Sequence, residues 1–376
     1  MTTGKTPSSI AESASTAKVP QVAWFAWMDF FRTAAAVIVV VSHARDVVMA
    51  DYNGNLLYAP FYAGTGFGHS GVVIFFVLSG FWISRSVIGR LAAPHFWRDY
   101  LIDRLSRLLI VLIPALALGG LLDWIGAVQL GLPLYSGTSG SHSIVAPVIE
   151  HLRPEVLLGN LAFLQTIAVP TWGSNGPLWS LAYEFWFYVW FPALAILLVR
   201  RRFSLALLSL AVAWFNPAIA LGFASWLAGF VLLKAERTVP QTPAPMWRAA
   251  ATTAVFLIVL LVSSLGASGA IDFMLAVAFA ALLYALRAGQ IGLPRFLEPL
   301  ARYGRDSSYS LYVVHFPVLA LIGSLVSGGI RMAPSPIGVA IVLALTLACV
   351  GLGWAFSELT ERNTGKARAF LRNRFG

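Results

Sequence analysis

The chain has 376 residues, of which 58% are hydrophobic and only 11% charged; a soluble domain, at about 25% charge, does not look like this and would expose large apolar patches, so the composition calls for a bilayer. The net charge of +10 does not mark a nucleic-acid binder, because Lys and Arg stand singly between apolar segments and form no basic face. The single cysteine, Cys349, excludes an intrachain disulfide and a multi-cysteine metal site.

Residues 1–22 are rich in Ser, Thr, Ala and Lys and have no apolar core of a signal peptide, which predicts a disordered cytoplasmic tail. A spanning helix needs roughly 20 mostly apolar residues. Candidates follow at 31–50, 69–88, 105–127, 177–199, 203–216, 217–234, 248–266, 270–288, 308–328 and 336–358. The fifth and sixth are short and join through Asn216-Pro217, a turn signal. Between the second and third spans, His95 to Leu109 mixes Arg and Asp with aromatics and leucines, as an amphipathic surface helix does. Glu155 to Val169 is apolar but short and suits an interfacial or re-entrant helix before the turn Gly173-Ser174-Asn175-Gly176-Pro177. Residues 361–376 form a basic tail.

The basic residues orient this set. Arg85, Arg90, Arg98, Arg104 and Arg107 follow the second span; Arg200, Arg201 and Arg202 follow the fourth; Lys234, Arg237 and Arg248 follow the sixth. Arg287, Arg295, Arg302 and Arg305 follow the eighth, and the tail closes the series. The intervening connections are nearly free of Lys and Arg, with Arg153 and Arg331 as the exceptions. The expected fold is therefore all-α, a polytopic membrane helix bundle of about ten transmembrane helices with both termini cytoplasmic, placed in the plasma (inner) membrane.

Ionisable groups inside such spans cost about 2.5–3.5 kcal/mol on insertion scales and mark functional sites by default. Arg32 and His43 are eleven positions apart, about three full helical turns, so they share a face and lie about 16 Å apart along the axis. A histidine at that depth can be neutral near pH 7 and act as a base; the other reading is a histidine bonded to a neighbouring helix for packing. Glu184, counted down from the outer surface, reaches a depth of about 10 Å, close to that of His43. This suggests a base with an orienting carboxylate, paired directly or through a water at roughly 3–6 Å; the other reading has Glu184 snorkelling or paired with an arginine. Ser180 shares the face of Glu184 at i, i+4. His315, on a helix starting inside at about residue 307, is expected in the cytoplasmic half, nearer Arg32 than His43, with structural and substrate-contact roles equally open. His69, His95, His142 and His151 fall in loops or at interfaces. No pair has zinc-ligand spacing, and neither a P-loop nor a dinucleotide fingerprint is present, so no metal site is expected.

Five motifs, in order along residues 29–317, carry a resemblance: Asp29 and Arg32 with ten residues before His43; the run Gly71 to Phe81 (GVVIFFVLSGF); Arg104-Leu105-Ser106-Arg107 followed by Pro114; Gly176 to Glu184 (GPLWSLAYE); and Tyr309 to Pro317 (YSLYVVHFP). Together they resemble the acyltransferase-3 family of integral membrane acyltransferases, which includes O-acetyltransferases of polysaccharides and macrolide acyltransferases. The resemblance implies a membrane domain over 23–360 that moves an acyl group from acyl-CoA, with acetyl-CoA expected, to a hydroxyl of a carbohydrate or macrolide-like acceptor, without a bound cofactor. It implies His43 as catalytic base with Glu184 in support. Arg32, Arg104, Arg107 and His315 would bind acyl-CoA, the arginines holding its phosphates through forked hydrogen bonds. Asp29, Ser79, Trp179, Ser180 and Tyr312 would bind substrate. Val73 and Phe185 stand where many members have acids, and Pro114 falls later than is common; these departures bear on acceptor recognition. The rival class is a proton-coupled transporter, which would also need buried His and Glu but no phosphate-binding arginines.

Overall fold

The computed structural model describes residues 24–239 and 242–375; the expected tail at 1–22 lies outside them. The described residues form helices without a strand. In chain order these are α1 Phe25–Val48, α2 Ala59–Gly64, α3 Gly68–Ile88, α4 Phe96–Trp124, α5 Pro154–Leu161, α6 Trp179–Arg200 and α7 Val212–Phe215. They continue with α8 Ala218–Glu236, α9 Met246–Ser263, α10 Gly269–Ala288, α11 Glu298–Val326, α12 Pro336–Leu359 and α13 Thr364–Phe375. Among the described residues nine helices are long and apolar enough to cross a membrane, and the chain is a polytopic helical bundle. The amphipathic stretch from His95 and the third expected span form one unbroken helix, α4, extended by a π-helical turn at Ile125–Gln129. The basic tail likewise contains the helix α13, whose Arg368 and Arg372 reach Asp103 of α4, at 3.3 and 2.9 Å, beside Arg90 at 2.7 Å.

The fifth expected span is corrected. Residues 203–216 are not a full-length helix but a 3₁₀-helix, Leu205–Ala211, running into the single turn α7. The piece still links opposite faces of the bundle. Arg200, just before it, donates to the Leu91 carbonyl at 3.0 Å, and Asn216, just after it, donates to the Thr166 carbonyl at 3.1 Å. A 3₁₀-helix rises about 2.0 Å per residue against 1.5 Å for an α-helix, so it covers more depth with fewer residues. Parity is thereby kept, and one face collects Arg85 with Glu236 and Arg107 with Glu361. That face is called basic below.

The helices at the centre approach through glycine. A Cβ on Gly80 of α3 would lie 2.1 Å from the Trp226 carbonyl of α8, and one on Gly229 would lie 2.1 Å from the Val77 carbonyl. The two backbones therefore touch where only hydrogen side chains fit. Gly304 does the same for α11 against α1, 2.1 Å from the Asp29 carbonyl. Helices α1 and α11 run parallel: residues 29–33 meet 300–304, and Val47 meets Gly323 at the far end.

Arg331, the basic residue that breaks the charge alternation, is neutralised. Its side chain is only 9% exposed and lies 2.8 Å from Asp51 and 3.6 Å from Asp46, and it also donates to the carbonyls of Met49 and Gly140. Asp46 further accepts from Ser141 and from the backbone of His142 and Ser143. This clasp fastens the loop after α1, the 129–153 segment and the α11–α12 connection to each other. Arg331→Gln should lower stability by about 3 kcal/mol, the order of cost for leaving a buried charge without its partner, read as a drop in the thermal midpoint in nanodiscs. The hydrogen bond from Arg331 holds the Asp51 carboxyl below its ordinary value. The contribution of Asp51 is thus present above the ordinary carboxylate range and fades as pH falls through the lowered value, a small effect because Asp51 is exposed.

Candidate active site

A cavity with about 840 Å³ of empty space opens between α1, α3, α4, α6 and α11. Its basic end is formed by Arg32, Arg104 and Arg107, and Glu184 is the one carboxylate on its wall. Arg32 is braced by the face of Trp82 (5.9 Å) and by Asp29 (3.3 Å). Arg104 lies over the Tyr100 ring at 5.6 Å, and its Nε is buried without a hydrogen-bond partner. Arg107 has Glu361 at 3.9 Å, itself anchored to the backbone and hydroxyl of Ser310. A guanidinium offers five N–H donors in a fixed fork, and most of those here are not consumed by protein acceptors. Three guanidinium groups thus gather at this end with donors to spare, two of them partly balanced by Asp29 and Glu361.

Farther in, the wall becomes neutral and polar. Tyr188 donates to Glu184 at 2.5 Å and lies 3.4 Å from the Ser79 hydroxyl, which accepts from the Trp226 indole at 3.2 Å. Ser180 and Tyr312 hydroxyls are 2.6 Å apart, and Tyr312 also donates to the Pro177 carbonyl at 2.9 Å. Phe75 closes against the Tyr312 ring at 5.8 Å. Sequence reasoning missed Tyr188, although it follows Glu184 at i+4 and so had to share its face. It also missed Trp82 and Glu361, which reach the arginines only through tertiary packing.

His43 does not bond Glu184; its ring partner is His315, with His43 Nδ1 and His315 Nε2 2.9 Å apart and the rings parallel within 15°. Two depth estimates change. Helix α11 begins at Glu298, not near residue 307. His315 is therefore about 26 Å along its helix and His43 about 27 Å along α1, which makes them level rather than His315 lower. Glu184 is deeper than expected because α6 does not start at the surface. The 3₁₀ turn Gly176–Leu178 before it is already inside the bundle, with Leu178 fully buried and the Asn175 amide bonded to the Val313 carbonyl. Glu184, seven residues beyond Pro177, therefore lies about 10 Å below the histidines.

The histidine pair has a fixed sense. His315 Nδ1 faces the carbonyls of Tyr312 (2.7 Å) and Leu311 (3.2 Å). Carbonyls only accept, so Nδ1 carries the proton. In the neutral ring Nε2 is then an acceptor, and it must receive the proton of His43 Nδ1. The lone pair of His43 is left on Nε2, available as a base. His315 is fully buried while His43 is partly exposed. The Tyr312 ring, which lines the cavity, lies 5.9 Å from His315.

The structure thus gathers Arg32, Arg104, Arg107, Ser79, Ser180, Glu184 and Tyr312 around one cavity. Neither His43 nor His315 is on its wall: the His315 ring lies 5.9 Å from that of Tyr312 and bonds His43 in turn. Asp29 and Trp179 are not on its wall; Asp29 backs Arg32, and Trp179 lines a second cavity. Among the described residues no group of three or more His, Cys, Asp or Glu could hold a metal. The family model described as an acyltransferase domain matches residues 25–355. No curated protein and no solved structure gave a match.

Proposed function

The chain belongs to the acyltransferase-3 family of membrane acyltransferases, and from that premise we propose that it transfers an acyl group, acetyl in the simplest case, from acyl-CoA to a hydroxyl of a carbohydrate or glycosylated small molecule. The observation that carries this reading is the cavity with three guanidinium groups at one end and, at the other, Tyr312, whose ring lies 5.9 Å from the His315 that orients His43. The basic face is turned to the cytoplasm, as the distribution of Arg and Lys favours. Coenzyme A phosphates dock on Arg32, Arg104 and Arg107. The pantetheine arm runs along Ser79 and Glu184, one carboxylate oxygen of which is taken by Tyr188 and the other offered to an amide N–H. The role of Glu184 is then to position the donor arm rather than to orient His43.

At the far end His43 Nε2 takes the proton of the acceptor hydroxyl as its oxygen attacks the thioester carbonyl. The C–S bond then breaks, and the departing thiolate receives that proton from the imidazolium. His315 spreads the transient charge toward two backbone carbonyls, so the pair does the work that an aspartate does for histidine in a hydrolytic triad. Where no acceptor is bound, water can take the place of its hydroxyl, so the donor alone is cleaved slowly.

The test is direct. Purified protein in nanodiscs should release free thiol from acetyl-CoA above the buffer rate, and a glycoside acceptor should raise that rate. Absence of thiol release with acetyl-CoA, propionyl-CoA and a long-chain acyl-CoA alike would overturn the reading.

A further inference from the structure

A second cavity, with about 630 Å³ of empty space, lies on the face opposite the arginines, between α3, α6, α8 and α10. It shares Phe76 with the first cavity and is otherwise separate from it. Its contents are unlike those of the arginine end. His69 and Asp272 are bonded at 2.9 Å, and Trp179 is parallel to the His69 ring within 11° at 5.9 Å. Tyr183 and Phe76 stand edge-on to Trp179, at 5.1 and 6.3 Å. On the same wall Ser225 is fully buried and its hydroxyl has no hydrogen-bond partner.

An orphaned buried hydroxyl is costly unless something bonds it. Asp272 is in the first turn of α10, where the helix dipole favours the carboxylate, so it accepts hydrogen bonds and repels anions. Among the described residues no arginine or lysine lines this cavity, and phosphate and carboxylate ligands are disfavoured. A ligand that fits carries no negative charge, donates to a carboxylate, bonds a serine hydroxyl and lays apolar C–H surface on aromatic rings. A hydroxylated sugar ring has those properties.

We propose that this cavity binds a sugar ring of the acceptor, remote from the hydroxyl that is acylated; the inference rests on the acyl-transfer reading above. The placement agrees with it. Gly68, next to His69, packs directly on Ser42, next to His43: a Cβ on Gly68 would lie 2.7 Å from the Ser42 hydroxyl. Helix α3 therefore stands between the cavity and His43, about one helix diameter or roughly 10 Å, and an acceptor of two or more rings reaches both by passing over the first turn of α3. Binding energy from a ring that does not react can then be used to place the one that does.

The test uses the full chain in nanodiscs, free of sugar-headed detergents, titrated calorimetrically with maltose, lactose and the methyl glycosides of glucose, galactose and rhamnose. At least one glycoside should bind saturably, and Ser225→Ala and Asp272→Asn should each weaken that glycoside by tenfold or more while the thermal midpoint shows both variants folded. If either variant does not fold, Trp179→Phe replaces it with the same expected loss. Binding by none of the five sugars, or binding equally strong in the variants, overturns the proposal. Thiol release from acetyl-CoA by the wild type is read in parallel, without sugar. Release without sugar binding defeats this cavity's assignment alone, whereas sugar binding without release defeats the acyl-transfer reading and with it the acceptor role of this cavity.

Discussion

His43→Ala is expected to lower kcat for acyl transfer by about a thousandfold, within the range of about 10²–10⁴ that a positioned base contributes, while the protein stays folded. His43 does not act alone. Its Nδ1 proton is committed to His315 Nε2 at 2.9 Å, because His315 Nδ1 is committed to the Tyr312 and Leu311 carbonyls. His315→Phe removes the acceptor, lets the His43 ring choose the wrong tautomer or rotate, and should cost about a hundredfold in kcat with little change in the KM for acyl-CoA. His315→Gln puts an amide oxygen near the position of Nε2 and should recover most of that loss. A role in packing alone predicts the reverse order, since Phe fills the apolar site better than Gln. In the wild type kcat should rise with pH through one ionisation, as the proton leaves the imidazole, and His43→Ala should abolish that limb. An activity of His43→Ala near that of wild type, or His315→Phe more active than His315→Gln, would end the assignment.

The second large effect concerns the donor. Among the described residues Arg104 has a buried Nε without a partner, and Arg107 is paired with Glu361 at 3.9 Å. A hydrogen bond to a charged group contributes about 1.5–3 kcal/mol, and each 1.4 kcal/mol is tenfold in affinity. Arg104→Gln combined with Arg107→Gln should therefore raise the KM for acetyl-CoA by at least about a hundredfold. The KM for the acceptor should stay within about twofold. A truncated donor without phosphates, S-acetyl-N-acetylcysteamine, separates recognition from damage, because its turnover should be slow in wild type and equally slow in the double variant. If the acceptor KM alone moves, or if the truncated donor suffers as much as acetyl-CoA, the two arginines do not bind phosphate.

Much of this architecture can be read from the chain because a bilayer imposes simple rules. Spanning segments must be apolar for roughly 20 residues and must satisfy their own backbone, and the positive charges between them keep to one side. Those rules locate the nine long helices and even the parity through residues 203–216, where the segment is too short for a span by length and crosses as a 3₁₀-helix. The i, i+4 spacing that puts Ser180 and Glu184 on one face extends to Tyr188, and all three line the cavity. Local periodicity decides such facts without help from the rest of the chain.

What the sequence could not decide is which side chain meets which across helices, because that depends on where each helix begins in depth and how it is turned. Counting residues from the surface made His43 and Glu184 level. The polar turn before α6 is instead held inside the bundle by Asn175 and Tyr312, and this lowers Glu184 by about two turns. Counting α11 from residue 307 made His315 too low, since its first turns, Glu298 to Asp306, are too polar to be recognised as part of a span. The charge exception at Arg331 is settled by Asp46 and Asp51, and the fate of Trp179 by packing against His69 in the second cavity. Apolar length and charge asymmetry are properties of a segment and survive in one dimension. Depth, rotation and partner are fixed only when glycine contacts such as Gly80 with Gly229 let the helices close on one another.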